Sequence, residues 1–82
     1  MKPNLSGIEH IGRRLRMVRK EKNLTQAKLG ELVGNNRDAV QKIENGKSLQ
    51  PRNTMDLSEA LDVNPAWLQF GNPYASRDWP AR

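Results

Sequence analysis

The segment from residue 25 to residue 46, TQAKLGELVGNNRDAVQKIENG, constrains the fold of this 82-residue chain more than any other part of it. Four of its apolar residues have the spacing of two short crossing helices that bury side chains against each other, namely Leu29, Val33, Val40 and Ile43. Gly30 follows Leu29 directly, so we expect it at the crossing, where a larger side chain would push the helices apart.

The same segment contains the signals that begin and end both helices. Thr25 is a typical N-cap for a helix that runs to about Val33, and Gly34 follows where a left-handed residue is usually needed. Asn36 offers a side-chain oxygen to cap the next helix, from Arg37 to about residue 45, which Gly46 ends. This is the build of a helix-turn-helix, in which one helix contacts the DNA backbone and the next enters the major groove.

The sequence also predicts a helix before this segment. Ser6 and Glu9 have the spacing of a capping box, so we predict a first helix that begins near Gly7. Its apolar stripe repeats at intervals of three and four: Ile8, Ile11, Leu15 and Val18. Most of the remaining circumference is basic: Arg13, Arg14, Arg16, Lys20 and Lys22.

Two further helices are predicted after a loop at residues 47–52. The fourth begins at about Asn53 or Thr54 and buries Leu57, Ala60 and Leu61. The fifth follows the Asn64-Pro65 pair, carries Trp67 and Leu68, and ends at Gly71. We therefore expect a compact, all-α domain of five helices without strands.

Positive charge is concentrated in the first two thirds of the chain. The net charge is +5, but residues 1–52 hold 12 Lys or Arg against 5 acidic residues, whereas residues 53–82 hold 2 against 4. This distribution presents a basic face to a polyanion such as nucleic acid, although a merely soluble basic surface would have the same charge.

Several classes of function find no support in the sequence. There is no cysteine, no apolar run near the roughly 20 residues of a membrane span, and no signal peptide, so we expect a cytoplasmic protein without a membrane partner. A single histidine, His10, cannot assemble a metal cluster or serve the scattered serines as a catalytic base. We expect no enzymatic activity, no metal or cofactor, and no small-molecule ligand.

Three short motifs carry a resemblance to a known family: Leu24-Thr25-Gln26, Ile43-Glu44-Asn45-Gly46-Lys47 and Asn64-Pro65-Ala66-Trp67-Leu68. With the five-helix pattern, they resemble the lambda-repressor-like helix-turn-helix family, also known as XRE-type regulators, and in particular bacteriophage repressors of the 434 and P22 kind. The resemblance covers residues 8–71. Residues 1–7 are then an N-terminal arm, and the Pro-containing residues 72–82 a tail or truncated linker.

The resemblance implies that the helix after the turn contacts bases through Asn36, Arg37, Asp38 and Lys42. Arg37 and Lys42 suit the O6 and N7 acceptors of guanine, and Arg37 can bond both at once. Asp38 either accepts from a cytosine amino group or complements the helix dipole and orients Arg37, and we slightly favour the second role.

The resemblance also implies contacts to DNA phosphates, from Thr25, Gln26, Asn45, Lys47, Arg52 and Arg14. Gln26 has the clearest physical support, because a side-chain amide and backbone amides at the start of a helix suit an anion. For Lys47, and for the basic residues of the first helix, the alternative to a phosphate contact is a solvated charge.

Two further sets of residues follow from the resemblance. Arg19 and Glu44 correspond to a buried structural ion pair between the first and third helices. The dimer interface corresponds to the last helix, here Pro65, Leu68 and Phe70, with Trp67 assigned to the core.

These assignments predict a sequence-specific regulator that binds double-stranded operator DNA as a homodimer, weak without DNA, with half-sites about 34 Å apart. A short Cro-like regulator, or a fragment of a longer repressor, would both account for the chain, and the Pro-rich end favours the fragment. An antitoxin-type protein-interaction module that also binds DNA is the alternative from a different class, and Tyr74 and Trp79 in the tail would suit it.

Overall fold

The computed structural model describes residues 10–48, 51–71 and 77. These residues form five α-helices: α1 (Ile11–Glu21), α2 (Gln26–Leu32), α3 (Arg37–Glu44), α4 (Thr54–Leu61) and α5 (Pro65–Phe70). The predicted five-helix, all-α architecture is confirmed. Among the described residues no helix has the length and apolar character needed to cross a membrane.

The start of α1 differs from the prediction. His10 is extended (φ −107°, ψ 159°), and its Nδ1 accepts a hydrogen bond from the backbone N–H of Gly12 at 3.1 Å. The helix therefore begins at Ile11 rather than near Gly7, because an extended residue interrupts the predicted run and its imidazole supplies the cap. The proposed capping-box residues Ser6 and Glu9, together with Ile8, lie outside the described residues.

The caps and the turn of the helix-turn-helix form as the sequence predicts. The Thr25 hydroxyl accepts a hydrogen bond from the N–H of Lys28 at 3.0 Å. The side-chain oxygen of Asn36 accepts one from the N–H of Ala39 at 3.0 Å. Gly34 has a φ of +69°, the left-handed conformation that favours glycine. In each short helix, the N-cap side chain thus accepts a hydrogen bond from one backbone N–H of the first turn. The turn between α2 and α3 contains its left-handed residue at the predicted position.

Two close backbone approaches set the position of α3. A Cβ at Gly30 in α2 would lie 2.6 Å from the carbonyl oxygen of Asn36, so the predicted need for glycine at this crossing is confirmed. A Cβ at Gly12 in α1 would lie only 2.1 Å from the carbonyl oxygen of Ile43. Gly12, for which no such role was predicted, brings α1 and α3 as close as Gly30 brings α2 and α3.

All five helices contribute to one core. Its fully or nearly fully buried apolar residues are Ile11, Leu15, Val18, Leu29, Val40, Ile43, Leu57, Leu61, Val63 and Leu68. Helix α3 packs against α2 and α1, while α5 packs against α4 and α1, so α1 connects the two halves of the domain. Trp67, predicted to belong to the core, is half-buried and packs against it.

One residue of the predicted tail also contacts the domain. The carbonyl oxygen of Arg77 accepts from the N–H of Asn64 at 2.7 Å, and its guanidinium carbon lies 5.4 Å from the centre of the Trp67 ring. The guanidinium also pairs with Glu21 at the end of α1. The chain at residue 77 is therefore held against the N-terminal end of α5, while Tyr74 and Trp79 lie outside the described residues.

Candidate nucleic-acid interface

Helix α3 packs one face against the rest of the domain and exposes the other to solvent. It buries Val40, Ile43 and Glu44 against the rest of the domain. The four residues predicted to contact bases, Asn36, Arg37, Asp38 and Lys42, are all exposed at its N-terminal end and along its outer face. Gln41, on the same helix, is half-buried.

An open groove of about 540 Å³ runs beside α3. One side is formed by residues at the start of α3 and on its outer face, and the other by the loop that leads to α4. The polar and charged residues of its lining are Asn35, Asn36, Asp38, Lys42, Ser48, Arg52 and Asn53. The groove thus brings Arg52, ten residues after Lys42 in the chain, to the same surface as three of the four predicted base contacts.

The residues after α3 turn sharply at its end. Asn45 is the C-cap residue, and the N–H groups of Lys47 and Ser48 both donate to the carbonyl oxygen of Lys42, at 2.9 and 3.2 Å. Asn45 and Lys47 are exposed. Their side chains are therefore accessible to a ligand at the C-terminal end of the helix.

A buried ion pair joins α1 to this same end of α3. The Nε of Arg19 donates to Oε2 of Glu44 at 2.6 Å, and its Nη2 donates to Oε1 at 3.0 Å. The remaining Nη1 donates to the carbonyl oxygen of Leu24 at 2.8 Å. The pair inferred from the resemblance is present, and both of its side chains are less than one tenth exposed.

Thr25 and Gln26 begin α2 beside this pair. The Thr25 residue is exposed, and its hydroxyl oxygen accepts the capping hydrogen bond. The half-buried Gln26 donates from its Nε2 to Oε1 of Glu44 at 3.0 Å. The glutamine predicted to bind a phosphate is thus hydrogen-bonded to the ion pair, a contact that sequence reasoning did not find.

Arg14 was predicted to reach a DNA phosphate, and the structure contradicts this. The residue is 3% exposed. Its Nε donates to the carbonyl oxygen of Leu68 at 2.7 Å and its Nη2 to that of Gln69 at 2.8 Å. Burial lowers the pKa of the Arg14 guanidinium, because the charged form loses its contact with water.

A signal for the burial of Arg14 was present in the sequence. It stands three residues after Ile11 and four before Val18, so it lies within the buried stripe of α1 rather than beside it. The prediction placed Arg14 at the surface because of its charge, whereas its position on the helix indicates that it is buried.

Leu68 was predicted to belong to a dimer interface, and this is also wrong. Its side chain is fully buried in the core of the single domain, so it has no surface to offer a partner. Phe70, in contrast, is 73% exposed, and Pro65 is half-buried. Of the three predicted residues, Phe70 provides by far the most accessible apolar surface.

Within the described residues, no group of three or more His, Asp or Glu side chains is arranged to hold a metal ion. Apart from the carboxylate of Asp38, the polar side chains along the groove beside α3 are amides, a hydroxyl and cations, which can donate hydrogen bonds to anions and to base edges. Such a surface suits contact with nucleic acid.

A comparison with known families agrees with this geometry. The model of a family described as helix-turn-helix matches residues 15–68, which contain most of α1 and all of the helix-turn-helix itself. The chain belongs to this helix-turn-helix family. The resemblance stated from the sequence motifs, to XRE-type regulators, is confirmed.

Members of the helix-turn-helix family similar to this chain include named regulators. The HTH-type transcriptional regulator PrtR of Pseudomonas aeruginosa is 34% identical over 58 residues, which cover 71% of this chain and 23% of that protein. The regulator for conjugative element SXT of Vibrio cholerae is 34% identical over 65 residues, 79% of this chain and 30% of that protein. The chain therefore spans less than half the length of these curated relatives.

Among solved structures, the P22 c2 repressor in complex with a synthetic operator is similar to this helix-turn-helix domain. The two share 33% sequence identity with a TM-score of 0.72, over 77% of this chain and 97% of that one. The lambda-repressor-like fold is thereby confirmed.

Proposed function

We propose that this chain is the DNA-binding domain of a sequence-specific transcriptional regulator of the phage-repressor type, which binds a palindromic operator as a dimer. The observation that carries the proposal is the exposure of Arg37, Asp38 and Lys42 on α3, which α1 and α2 support from behind. The similarity to an operator-bound repressor supports it independently.

Base recognition in this proposal is assigned to α3. Arg37 donates two hydrogen bonds to the O6 and N7 atoms of a guanine, and Lys42 donates to a second guanine about one and a half turns further along the helix. Asp38 lies in the first turn of α3, where a carboxylate complements the positive end of the helix dipole and orients Arg37. The Asn36 side chain already caps α3 and has its amide nitrogen available for a base edge.

Phosphate contacts are assigned to both sides of α3. Asn45, Lys47 and Arg52 are exposed after the helix, and Thr25 and Gln26 lie before it at the start of α2. The two cations, Lys47 and Arg52, neutralise phosphates, and all five contacts set the orientation of the helix without carrying sequence information. Arg14 takes no part, because its donors bind the end of α5.

Dimerisation is assigned to Phe70 with Pro65. An isolated exposed phenylalanine buries too little surface for a stable dimer, so we propose that two copies assemble on the operator rather than before it. Each copy then places α3 in the major groove of one half-site, with the half-sites about 34 Å apart.

The relatives named as transcriptional regulators give no support to a catalytic role, and we propose none for this chain. Binding to operator DNA would take place in the cytoplasm of a bacterial cell. No described contact favours the antitoxin-type alternative, since Arg77 in the tail binds Asn64, Trp67 and Glu21 of the same domain.

Selection of bound sequences from a random duplex pool tests the proposal, with the purified chain at moderate salt. We expect a palindrome whose half-sites contain G·C pairs. A double variant, Arg37→Ala with Lys42→Ala, serves as the control and should recover no G·C-containing motif. If the unaltered chain retains non-specific binding but recovers no motif, the proposal is wrong and a protein partner becomes the better interpretation.

A further inference from the structure

We infer that Glu44 is a positioning residue for DNA binding: together with Arg19, it holds the Gln26 side-chain amide so that a donor, rather than the carbonyl oxygen, is presented to a phosphate. The inference rests on the proposed function and adds to it a route by which a buried ion pair acts on a half-buried phosphate contact. It is carried by three hydrogen bonds that meet on one carboxylate.

The carboxylate of Glu44 connects three helices. From α1 it accepts the Nε and Nη2 of Arg19, and from α2 it accepts the Nε2 of Gln26. Oε1 receives two of these bonds, each 3.0 Å long. Because Glu44 belongs to α3, the start of α2 and the end of α3 are joined through side chains as well as through the turn.

Burial makes this arrangement rigid. Arg19 and Glu44 are each 8% exposed, and the third guanidinium nitrogen of Arg19 is held by the carbonyl oxygen of Leu24. A change of rotamer in either side chain would break these bonds and leave a buried charge unpaired, which is costly. The carboxylate oxygen that faces Gln26 therefore has a fixed position before any DNA is present.

The chemistry of a carboxylate decides which way the Gln26 amide faces. An ionised carboxylate only accepts hydrogen bonds, so it binds the NH₂ group of glutamine and not its carbonyl oxygen. That NH₂ group has two protons, and Glu44 uses one of them. The second remains available on a half-buried side chain that reaches the surface.

The electrostatics of the pair permit an anion nearby. A lone carboxylate at this point would repel a phosphate, but the bidentate guanidinium of Arg19 balances its charge. Glu44 directly precedes Asn45, and the exposed Lys47 follows within three residues. The second N–H of Gln26 therefore lies beside the residue that directly precedes Asn45, one of the proposed phosphate contacts.

A double-mutant cycle on the full chain tests this inference. The variants are Gln26→Ala, Glu44→Gln and the combination, each measured for binding to the selected operator across a range of salt concentrations and at a temperature where circular dichroism shows it folded. The Glu44→Gln variant keeps the shape of the side chain but removes the charge that selects the amide orientation. We expect each single change to weaken binding by about tenfold, as for loss of one charge-assisted hydrogen bond.

The salt dependence separates a positioning role from a change of charge. Because the Gln26 amide is neutral and displaces no counterion from the DNA, Gln26→Ala should weaken binding by the same factor at every salt concentration, and the combination should weaken it no more than Gln26→Ala alone. Lys47→Ala should instead lower the slope of log affinity against log salt by about one, and a matched cycle of Glu44→Gln with Lys47→Ala should be additive in affinity. If Gln26→Ala weakens binding while the folded Glu44→Gln variant does not, the inference is overturned and the proposed function stands.

A measurement without DNA keeps the inference testable even if Glu44→Gln does not fold. In the NMR spectrum of the unaltered chain, one Gln26 amide proton should exchange with water more slowly than those of Gln41, whose side chain serves as the comparison. If both Gln26 protons exchange as fast as those of Gln41, the inference is wrong. If the unaltered chain selects no operator, the proposed function fails, and the inference with it.

Discussion

The Nε of Arg14 donates to the backbone carbonyl oxygen of Leu68 at 2.7 Å, which joins the first helix of the domain to the last across 54 positions of sequence. A second donor of the same guanidinium binds the carbonyl oxygen of Gln69. The last carbonyls of a helix have no partner within the helix, and a cation is favourable there because of the helix dipole. Arg14 thus completes the end of α5 from inside the protein.

Replacement of Arg14 by Met should destabilise the domain without changing how it contacts phosphates. Two carbonyl oxygens lose charged donors, so we expect a loss of about 2–4 kcal/mol in the free energy of unfolding, measured by urea denaturation. Arg16→Met, at an exposed position of the same helix, should change it by less than about 0.5 kcal/mol. A reduced salt slope for DNA binding by folded Arg14→Met would contradict the buried role.

Replacement of Arg19 by Ala should be among the most destabilising single changes in the chain. It leaves the Glu44 carboxylate buried without its partner, which costs about 3–5 kcal/mol. Thermal unfolding followed by circular dichroism measures this. Lys22→Ala is the control, because its 3.8 Å ion pair with Asp62 is exposed and contributes about 0–1 kcal/mol. Equal effects of the two variants would show that burial of the Arg19 pair does not matter.

Replacement of Gly12 by Ala should separate α1 from α3. The new Cβ would overlap the carbonyl oxygen of Ile43 at 2.1 Å, and a backbone atom cannot move aside without displacing the helix. We expect the free energy of unfolding, measured by chemical denaturation, to fall by about 1–3 kcal/mol or more. At Gly34 a Cβ meets nothing within 4 Å, so Gly34→Ala should cost only the strain of its positive φ, about 1–2 kcal/mol. A neutral Gly12→Ala would contradict the close approach of the two helices.

Replacement of Arg37 by Ala should change sequence preference as well as affinity. We expect binding to the selected operator to weaken by about 1–3 kcal/mol, with relaxed preference at one base pair of each half-site. Lys47→Ala should instead weaken binding to all duplexes alike and lower the salt slope by about one. Competition assays with singly substituted operators distinguish the two. Unchanged preference at every position in Arg37→Ala would overturn the assignment of base contacts.

Replacement of Phe70 by Glu should prevent cooperative assembly on the operator. The change adds charge to a side chain that is 73% exposed, so the isolated domain should keep its thermal stability. In a gel-shift titration, the variant should bind an isolated half-site with unchanged affinity. On the palindrome, its two copies should bind independently and no longer in one cooperative step. The matched control is Met55→Glu, at an exposed apolar residue of α4, which should leave cooperativity intact. Cooperative binding by Phe70→Glu would place the dimer contact elsewhere.

The elements that the sequence predicted correctly depend on signals within a few residues of one another. Thr25 and Asn36 cap helices that begin at the next residue, and Gly34 adopts the left-handed conformation that its place after α2 indicated. His10 shows the limit of such signals. Its imidazole caps α1 in a position where Ser6 and Glu9 suggested an earlier start, and histidine is not a common capping residue.

Local spacing therefore established the five helices, their turns and most of their apolar faces, because caps, glycine conformations and helical periodicity act over three or four residues. It did not establish which cations are buried. Arg14 and Arg16 stand two residues apart on one helix, yet the first lies beneath the end of α5 and the second is exposed. That difference depends on carbonyl groups more than 50 residues away, which approach Arg14 only when α5 packs onto α1.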